Sequence, residues 1–387
     1  MKIAILTTDC REVEKNYRCE QPYFAAPEAL LQGFRAMSGL EVHVVSCAQQ
    51  PMVSPSKIGD NIWFHGLHVP KLGWLRTGYQ GCVRAVRRKL QEIQPDIVHG
   101  QGTERDCAIC AVLSGFPNVL TIHGCMNAIA KLQQARVGTF YWLAAHVENF
   151  TVPRTHGVIC ISEYVENLVK KYQVPTWIVP NPIQKMFFEF PREEKSANNR
   201  PLIINVGVIS ERKRQIQLLG VLESLRKKNL QFDTIFVGRS EGDDLYQKQF
   251  GELLAAADQR HGGFKHIKRL DDAAFCKLMD EAAAMIHFSS EESFGLTFAE
   301  AIARGLYLFA SDVGAARFIC REIDNARVFP VDEWNEMQAA VEKWLVEKAY
   351  LNPRPNNPPQ EFVKKFHPIY VAERHVEIYR AVLEKPH

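Results

Sequence analysis

The 387-residue chain has no long hydrophobic run and almost no excess of charge of either sign. No apolar stretch approaches the roughly 20 residues that a membrane-spanning helix needs. Lysine and arginine number 47 against 44 aspartates and glutamates, a net charge of +3. Without a basic excess no general affinity for polyanions follows, which argues against nucleic acid as a partner. Metal-ligand patterns are missing as well: His99, His123 and His146 fall at no ligand spacing. Of the ten cysteines, Cys107-Ala-Ile-Cys110 form a short-spaced pair, but no second pair follows at zinc-site spacing, so helix-face packing is the better reading. The protein is therefore expected to supply no metal ligands. The opening, MKIAILTTDC, carries one lysine and an apolar run that turns polar at once. It reads as a first strand, not a secretory signal, and cysteines in apolar runs such as Val158-Ile-Cys-Ile161 read as reduced, buried thiols.

What is present is a 46% hydrophobic, 24% charged composition, that of a soluble globular protein. The length suits two domains of roughly 180 residues. In the first half, residues 2–8, 41–47, 62–70, 95–100, 119–124, 157–163 and 177–182 read as strands, several of them continuous apolar runs bounded by turns. Helical sequence lies around 27–37, over 82–93, from 128 to about 154, and on to Lys171. The loop from Asp9 to Phe24 is long, polar and aromatic; following the first strand, it is expected at the carboxyl edge of the sheet, where ligands of doubly wound folds bind. The helix 82–93 carries Arg84, Arg87, Arg88 and Lys89. A solvated charged face is the first reading; the second is a peripheral contact with an anionic membrane surface, aided by Trp74, Leu75 and Tyr79. Residues 184–200 change from aromatic to charged to Asn-rich and read as a linker. Strands at 202–207, 234–238 and 266–270 and helices at 215–230 and 272–281 follow.

The richest stretch is Met285 to Phe318, MIHFSSEESFGLTFAEAIARGLYLFASDVGAARF. An apolar run ends in the polar loop Ser289 to Ser293. A helical period begins near Phe294, with Leu296, Ala299 and Ala303 three and four apart, and stops at Gly305. A second apolar run, 306–310, completes a strand–loop–helix–strand unit of a parallel sheet. A helix that starts just past a strand end offers free N–H groups to an anion, and two carboxylates, Glu292 and Glu300, bracket that start.

This stretch resembles the donor-binding motif of retaining glycosyltransferases of family 4, in which two glutamates separated by seven residues flank a Phe-Gly-Leu core. Here it stands as Glu292-Ser-Phe-Gly-Leu-Thr-Phe-Ala-Glu300, with Ala-Ser-Asp-Val-Gly following. The resemblance implies the GT-B fold: two Rossmann-like α/β domains facing across a cleft, with a C-terminal helix crossing back to the first domain. On that reading residues 1–183 plus about 368–387 form the acceptor-side domain and 200–364 the donor domain. It further implies transfer of a sugar from a nucleotide-diphosphate sugar to a glycan or lipid-linked glycan, retaining and metal-independent. No cofactor beyond the donor is implied, and the location is cytoplasmic, with peripheral contact at the inner face of the membrane as the second reading.

The site residues follow from the same likeness. His123, in Val119-Leu-Thr-Ile-His-Gly124, matches a histidine that contacts the transferred sugar or the reacting centre, and Asn181 matches a recurrent asparagine; His99 reads as core. Gly207 ends the first strand of the second domain, and Lys213 matches the family's lysine. Val208 stands where an arginine is usual, and Arg212, in preference to Arg214, is expected to supply that charge. These cations, with the N–H groups of Gly295, Leu296 and Thr297, would meet the diphosphate. Phe294 belongs to the same loop, Glu292 would hold sugar hydroxyls, and Glu300 the ribose diol. The Gly-Gly pair usual after the first strand is absent. Three rival readings stand beside transfer. A glycosidase needs carboxylates about 5–9.5 Å apart, whereas eight helical residues span roughly 12 Å. A sugar-nucleotide epimerase and a non-catalytic donor-binding scaffold share the fold.

Overall fold

The computed structural model describes residues 1–25, 27–192, 200–240, 244–352 and 357–384. It divides into two units: Met1–Gln184 with Lys364–His387, and Lys185–Val363.

The first unit is built on an eight-stranded sheet. Its strands are β1 (Lys2–Leu6), β2 (Glu41–Ala48), β3 (Lys57–Gly59), β4 (Ile62–His68), β5 (Ile97–Gln101), β6 (Asn118–Ile122), β7 (Val158–Cys160) and β8 (Thr176–Ile178), in the order β3-β4-β2-β1-β5-β6-β7-β8. All pairings are parallel except β3 with β4 at the edge. Both faces of the sheet are covered, which is why its central strands read as unbroken apolar runs. Successive residues of β1 serve opposite cores. Ile3 and Ile5 pack with Leu30, Phe34, Val371 and Tyr379, while Ala4 and Leu6 pack with Val83, Val86, Leu90 and Cys107.

The first of those cores is closed by the C-terminal helix, Pro368–Leu383, laid on the helix Pro27–Arg35. His367 caps its start by accepting from the Ile369 N–H, and Pro368 occupies the first turn, where a missing N–H costs nothing. The two helices meet at Gly33, where a Cβ would come within 2.1 Å of the Pro368 carbonyl oxygen and 2.7 Å of Ala372 Cβ. The chain end thus belongs to the first unit.

Several local expectations change here. The helical stretch expected from 128 to 154 is two helices, Met126–Leu132 and Phe140–Thr151, separated by a turn in which Gln134 and Gly138 have positive φ. The loop after β1, largely exposed, carries a buried anchor. Arg11 and Glu12 are fully buried, and Arg11 binds Asp9, the carbonyls of Cys19, Glu20 and Val53, and Ser54 Oγ, fastening the loop from within. The aromatic anchors expected beside the basic helix Gln80–Ile93 are inside the protein: Trp74 donates its indole N–H to the Val69 carbonyl at 2.8 Å, and Tyr79 is buried with it. Arg84, Arg87 and Arg88 remain exposed, as the reading of a solvated charged face expects. Among the described residues no helix is long and apolar enough to cross a membrane.

The second unit has a six-stranded parallel sheet: β9 (Leu202–Val206), β10 (Asp233–Val237), β11 (Phe264–Ile267), β12 (Ala284–His287), β13 (Tyr307–Ser311) and β14 (Ala326–Phe329), ordered β11-β10-β9-β12-β13-β14. Counted along the unit, that order is 3-2-1-4-5-6, which reverses between β9 and β12 and opens a crevice at their carboxyl ends. Backbone pairing there covers Ile203↔Ala284 and Ile204↔Met285, and beyond it the Asn205 side chain donates to the Ile286 carbonyl at 2.8 Å. The stretch 184–200 is only in part the linker its composition indicates. Met186–Glu189 is helical, and Phe187 packs edge-on to Phe275 inside the second unit; residues 193–199 lie outside the described residues. Some elements do not show in the period of the sequence. The helix Leu245–His261 buries just Phe250, Leu254 and Ala257, a stripe too narrow to stand out. The helix Gln360–Phe366 and strand β3 are too short for a period to show.

Candidate active site

Two loops meet at the reversal point of the second sheet. The first leaves β9 through Gly207, whose φ is 153° and whose missing side chain leaves room for the Lys213 stem: a Cβ there would stand 3.3–3.5 Å from Cδ, Cε and Nζ of Lys213. Gln215, fully buried, staples this loop by accepting from the Ser210 N–H at 3.2 Å and donating to the Val208 carbonyl at 3.1 Å. Glu211–Lys213 forms a single 3-10 turn, and Arg214 in the left-handed conformation starts the helix Gln215–Lys227. That turn divides the three cations. Arg214 points to the Val331 carbonyl and Asp332, while Arg212 and Lys213 point to the second loop.

The second loop leaves β12 and runs from Phe288 to Gly295. Ser290 donates from its N–H and from Oγ to the Arg212 carbonyl at 2.9 and 3.1 Å, knitting the loops together. From the other side, Ser311 Oγ donates to the Ser289 carbonyl at 2.7 Å, and the Ala315 N–H donates to the Phe294 carbonyl at 3.1 Å. Gly314, at φ 56°, lies against Glu292: a Cβ would come within 2.7 Å of the Glu292 carbonyl oxygen. The Ala-Ser-Asp-Val-Gly segment is thus the wall that holds the glutamate loop. Gly295 (φ 92°) then opens the helix Leu296–Ala303, whose first turn has no side-chain cap.

At the centre stands Glu292. One carboxylate oxygen accepts from Lys213 Nζ and from His287 Nε2, the latter at 2.9 Å; the other lies 3.5 Å from Arg212. Lys213 Nζ is also 3.2 Å from His287 Nε2, and Thr297 Oγ1 is 3.5 Å from His287 Nδ1. Burial would raise the Glu292 pKa, but the His287 hydrogen bond and the cation of Lys213 outweigh it and hold the carboxyl down at about 2. Burial lowers the pKa of Lys213, with Glu292 opposing. Burial and the neighbouring cations also lower His287, against the pull of Glu292. The neutral ring therefore donates from Nε2 to Glu292 and offers Nδ1 to Thr297. Glu300, half-buried, lies close enough to Lys213 for its charge to be felt. Burial pushes its carboxyl up to about 7, with Lys213 opposing.

The residues expected at the donor site in the second unit thus gather in one place, with distinctions among them, while Asn181 lies in the first unit. Phe294 is buried, so its side chain supports the loop from beneath. Arg212 is half exposed and reaches the second carboxylate oxygen of Glu292 at 3.5 Å. His287, at the end of β12 and only 1% exposed, was read as part of an apolar strand. A histidine inside such a run, five residues before a glutamate, was the available signal. Residues 241–243, which follow β10, lie outside the described residues.

His123 and Asn181 lie in the first unit, where with Gln101, Thr121, Pro27 and His375 they line a small cavity. His123 stands one residue past the end of β6, and its Nε2 is 2.8 Å from Gln101 Oε1. Burial pushes its pKa down to about 4; Asn181 favours the charged ring but makes no hydrogen bond of normal geometry to Nδ1. The turn that follows is fixed by the buried Glu148, which accepts from the N–H groups of Met126 and Asn127. Among the described residues one set of clustered potential metal ligands occurs, Cys47, Cys82 and Asp106. It is buried in the first unit.

Comparison with known proteins matches residues 186–358 to a family described as "Glycosyl transferases group 1" and residues 28–185 to one described as "Glycosyltransferase Family 4". A phosphatidyl-myo-inositol mannosyltransferase of Mycolicibacterium smegmatis is 30% identical over 155 residues, 39% of this chain and 36% of that protein. A serotype-specific mannosyltransferase, WbdA, of Escherichia coli is 25% identical over 226 residues, 53% of this chain and 26% of that protein. The matches thus span about a third or less of those relatives' length. Among solved structures, sucrose-phosphate synthase from Thermosynechococcus elongatus superposes with a TM-score of 0.72 at 16% identity, over 99% of both chains. HepE from Anabaena, solved with UDP and glucose, gives 0.69 at 14% identity, over 98% of this chain and 100% of that one. At such identities the likeness is one of fold.

Proposed function

The chain belongs to the group 1, family 4 glycosyltransferases, and from that premise we propose that it moves a sugar from a nucleoside diphosphate sugar to a hydroxyl of a glycan or lipid-linked glycan, with retention and without a metal. The observation that carries the proposal is the convergence of Lys213, Arg212, Glu292 and His287 at the reversal point of the second sheet, with Glu300 one helical element away.

The reaction breaks the bond between the anomeric carbon and the diphosphate oxygen and forms one from that carbon to the acceptor oxygen. Negative charge grows on the departing diphosphate. Lys213 keeps N–H donors beyond the one it gives Glu292, and with Arg212 and the uncapped helix start at Leu296 it stabilises that charge. These cations take the role a divalent ion plays elsewhere. Glu292, held ionised, accepts from sugar hydroxyls, and Glu300 from the ribose diol. The acceptor proton passes to the departing phosphate oxygen, so no protein base is required. The names of two relatives put a nucleoside diphosphate mannose first among donors to try, and the neighbour solved with UDP puts UDP-glucose next.

The test is nucleoside diphosphate release from a panel of nucleotide sugars, with and without glycan and lipid-linked acceptors and with chelator present. Product anomers are read by NMR. Acceptor-dependent release that survives chelator, with the donor's anomeric configuration kept, supports the proposal. Inversion, or loss of release with chelator, overturns the corresponding part. Donor binding without turnover across the panel replaces it with the scaffold reading.

A further inference from the structure

We propose that Gln101 is a positioning residue that sets which ring nitrogen of His123 carries the proton, and that it is held in turn by a buried chain of side chains reaching the C-terminal helix. The inference deepens the transferase reading, on which only its kinetic arm rests.

Gln101 ends β5, is 5% exposed, and places Oε1 2.8 Å from His123 Nε2. An amide oxygen only accepts, so Nε2 carries the hydrogen and Nδ1 keeps its bare lone pair. Nδ1 then offers an acceptor to a hydroxyl entering the cavity beside Thr121, Asn181 and Pro182. Burial keeps the ring neutral, so there is one proton to place.

The orientation of the Gln101 amide is set from behind. Its Nε2 lies 3.1 and 3.3 Å from the two ring nitrogens of His99, turning the amino end toward that ring and the oxygen toward His123. His99 is fully buried and clamped at both nitrogens: Nδ1 is 2.6 Å from Tyr379 Oη and Nε2 is 2.7 Å from Thr121 Oγ1. Burial keeps the Tyr379 phenol protonated; its oxygen accepts from His99 Nδ1–H, which leaves the Nε2 lone pair as the acceptor that the Gln101 amino group and the Thr121 hydroxyl face. Tyr379 is 280 residues away in sequence and is itself fully buried on the helix Pro368–Leu383. The proton on His123 is therefore placed by a chain of contacts, Tyr379–His99–Gln101–His123, that exists only when the C-terminal helix is docked.

The experiment uses the full chain with 15N-labelled histidine, read by two-bond 1H–15N spectra, with His123→Asn for assignment. Wild type is expected to show His123 as the Nε2–H form. Gln101→Leu removes the acceptor and is expected to give a mixed or Nδ1–H ring, with kcat about tenfold or more lower and donor KM little changed. Gln101→Glu, which keeps an acceptor oxygen for His123 but loses the amino group facing His99, keeps the hydrogen on Nε2 and recovers kcat in part. Tyr379→Phe disturbs His99 and, through it, the His123 signals. An Nδ1–H ring in wild type, or a pure Nε2–H ring with unchanged kcat in Gln101→Leu, overturns the proposal. If Gln101→Leu fails to fold, Gln101→Glu and Tyr379→Phe decide it by the same spectra. A protein that turns over no donor still gives the tautomer, which separates failure here from failure of the transferase reading.

Discussion

Replacing Lys213 by Met removes one charge while keeping an unbranched stem in the space beside Gly207. Two consequences differ in kind. For turnover, losing a cation aimed at the departing diphosphate is expected to cost about 10²–10³ in kcat, the range seen when one preorganised transition-state donor is lost. For stability, the relevant quantity is Glu292, whose carboxyl falls from 4.5 in the unfolded chain to about 2 in the fold. At 1.36 kcal/mol per unit that corresponds to about 3 kcal/mol, present above pH 4.5 and lost as pH falls toward 2. Burial of the Lys213 ammonium works against this gain, so the net contribution of the pair is smaller. Lys213→Met leaves Glu292 buried with His287 and the more distant Arg212, and should destabilise by about 1–3 kcal/mol at pH 7. The gap should narrow as Glu292 protonates. Lys213→Met/Glu292→Gln removes both charges and should return to within about 1 kcal/mol of wild type while remaining inactive. Urea unfolding at pH 7 and pH 4, beside donor-release kinetics, reads all of this. A Lys213→Met enzyme within about threefold of wild-type kcat would refute the catalytic argument. A double variant whose destabilisation equals the sum of the single ones would refute the pairing.

Two further outcomes are expected. His375 is 3% exposed and burial holds its pKa at about 4 against 6.5; its contribution is complete above pH 6.5 and is lost as pH falls through 4, worth at most about 3 kcal/mol. His375→Gln should therefore flatten the dependence of unfolding free energy on pH over that window, and an unchanged slope would exclude the residue from it. Glu300, pushed up to about 7, should bind a ribose diol better once ionised. Donor affinity by calorimetry should rise about tenfold between pH 6 and 8 if the ionised form alone binds, and Glu300→Gln should weaken binding and abolish the rise.

The residues that carry the fold in the sequence are those whose period states their own burial. The apolar runs of β1, β2, β9 and β13 read as buried parallel strands because both faces of each are covered, and the Glu292-to-Glu300 spacing with its Gly-Leu core marked the loop proposed to bind the donor. The helices Leu245–His261 and Gln360–Phe366 did not announce themselves, since one buries a narrow stripe and the other is under two turns. The aromatic half of 184–200 looked like a linker because composition reports polarity, not the pocket that Phe187 fills beside Phe275.

Sequence alone determined the class of the fold, the strand-and-helix alternation and the charged residues of the loop from Phe288 to Gly295, because these depend on local period and on residue type. Tertiary structure alone decided partners. It set His287 beneath Glu292, turned Arg214 away from it and kept Arg212 beside it, pressed Gly314 against its backbone, and brought Tyr379 to His99 across 280 residues. A period says which side of an element is buried; what meets it there is settled only when the chain closes on itself.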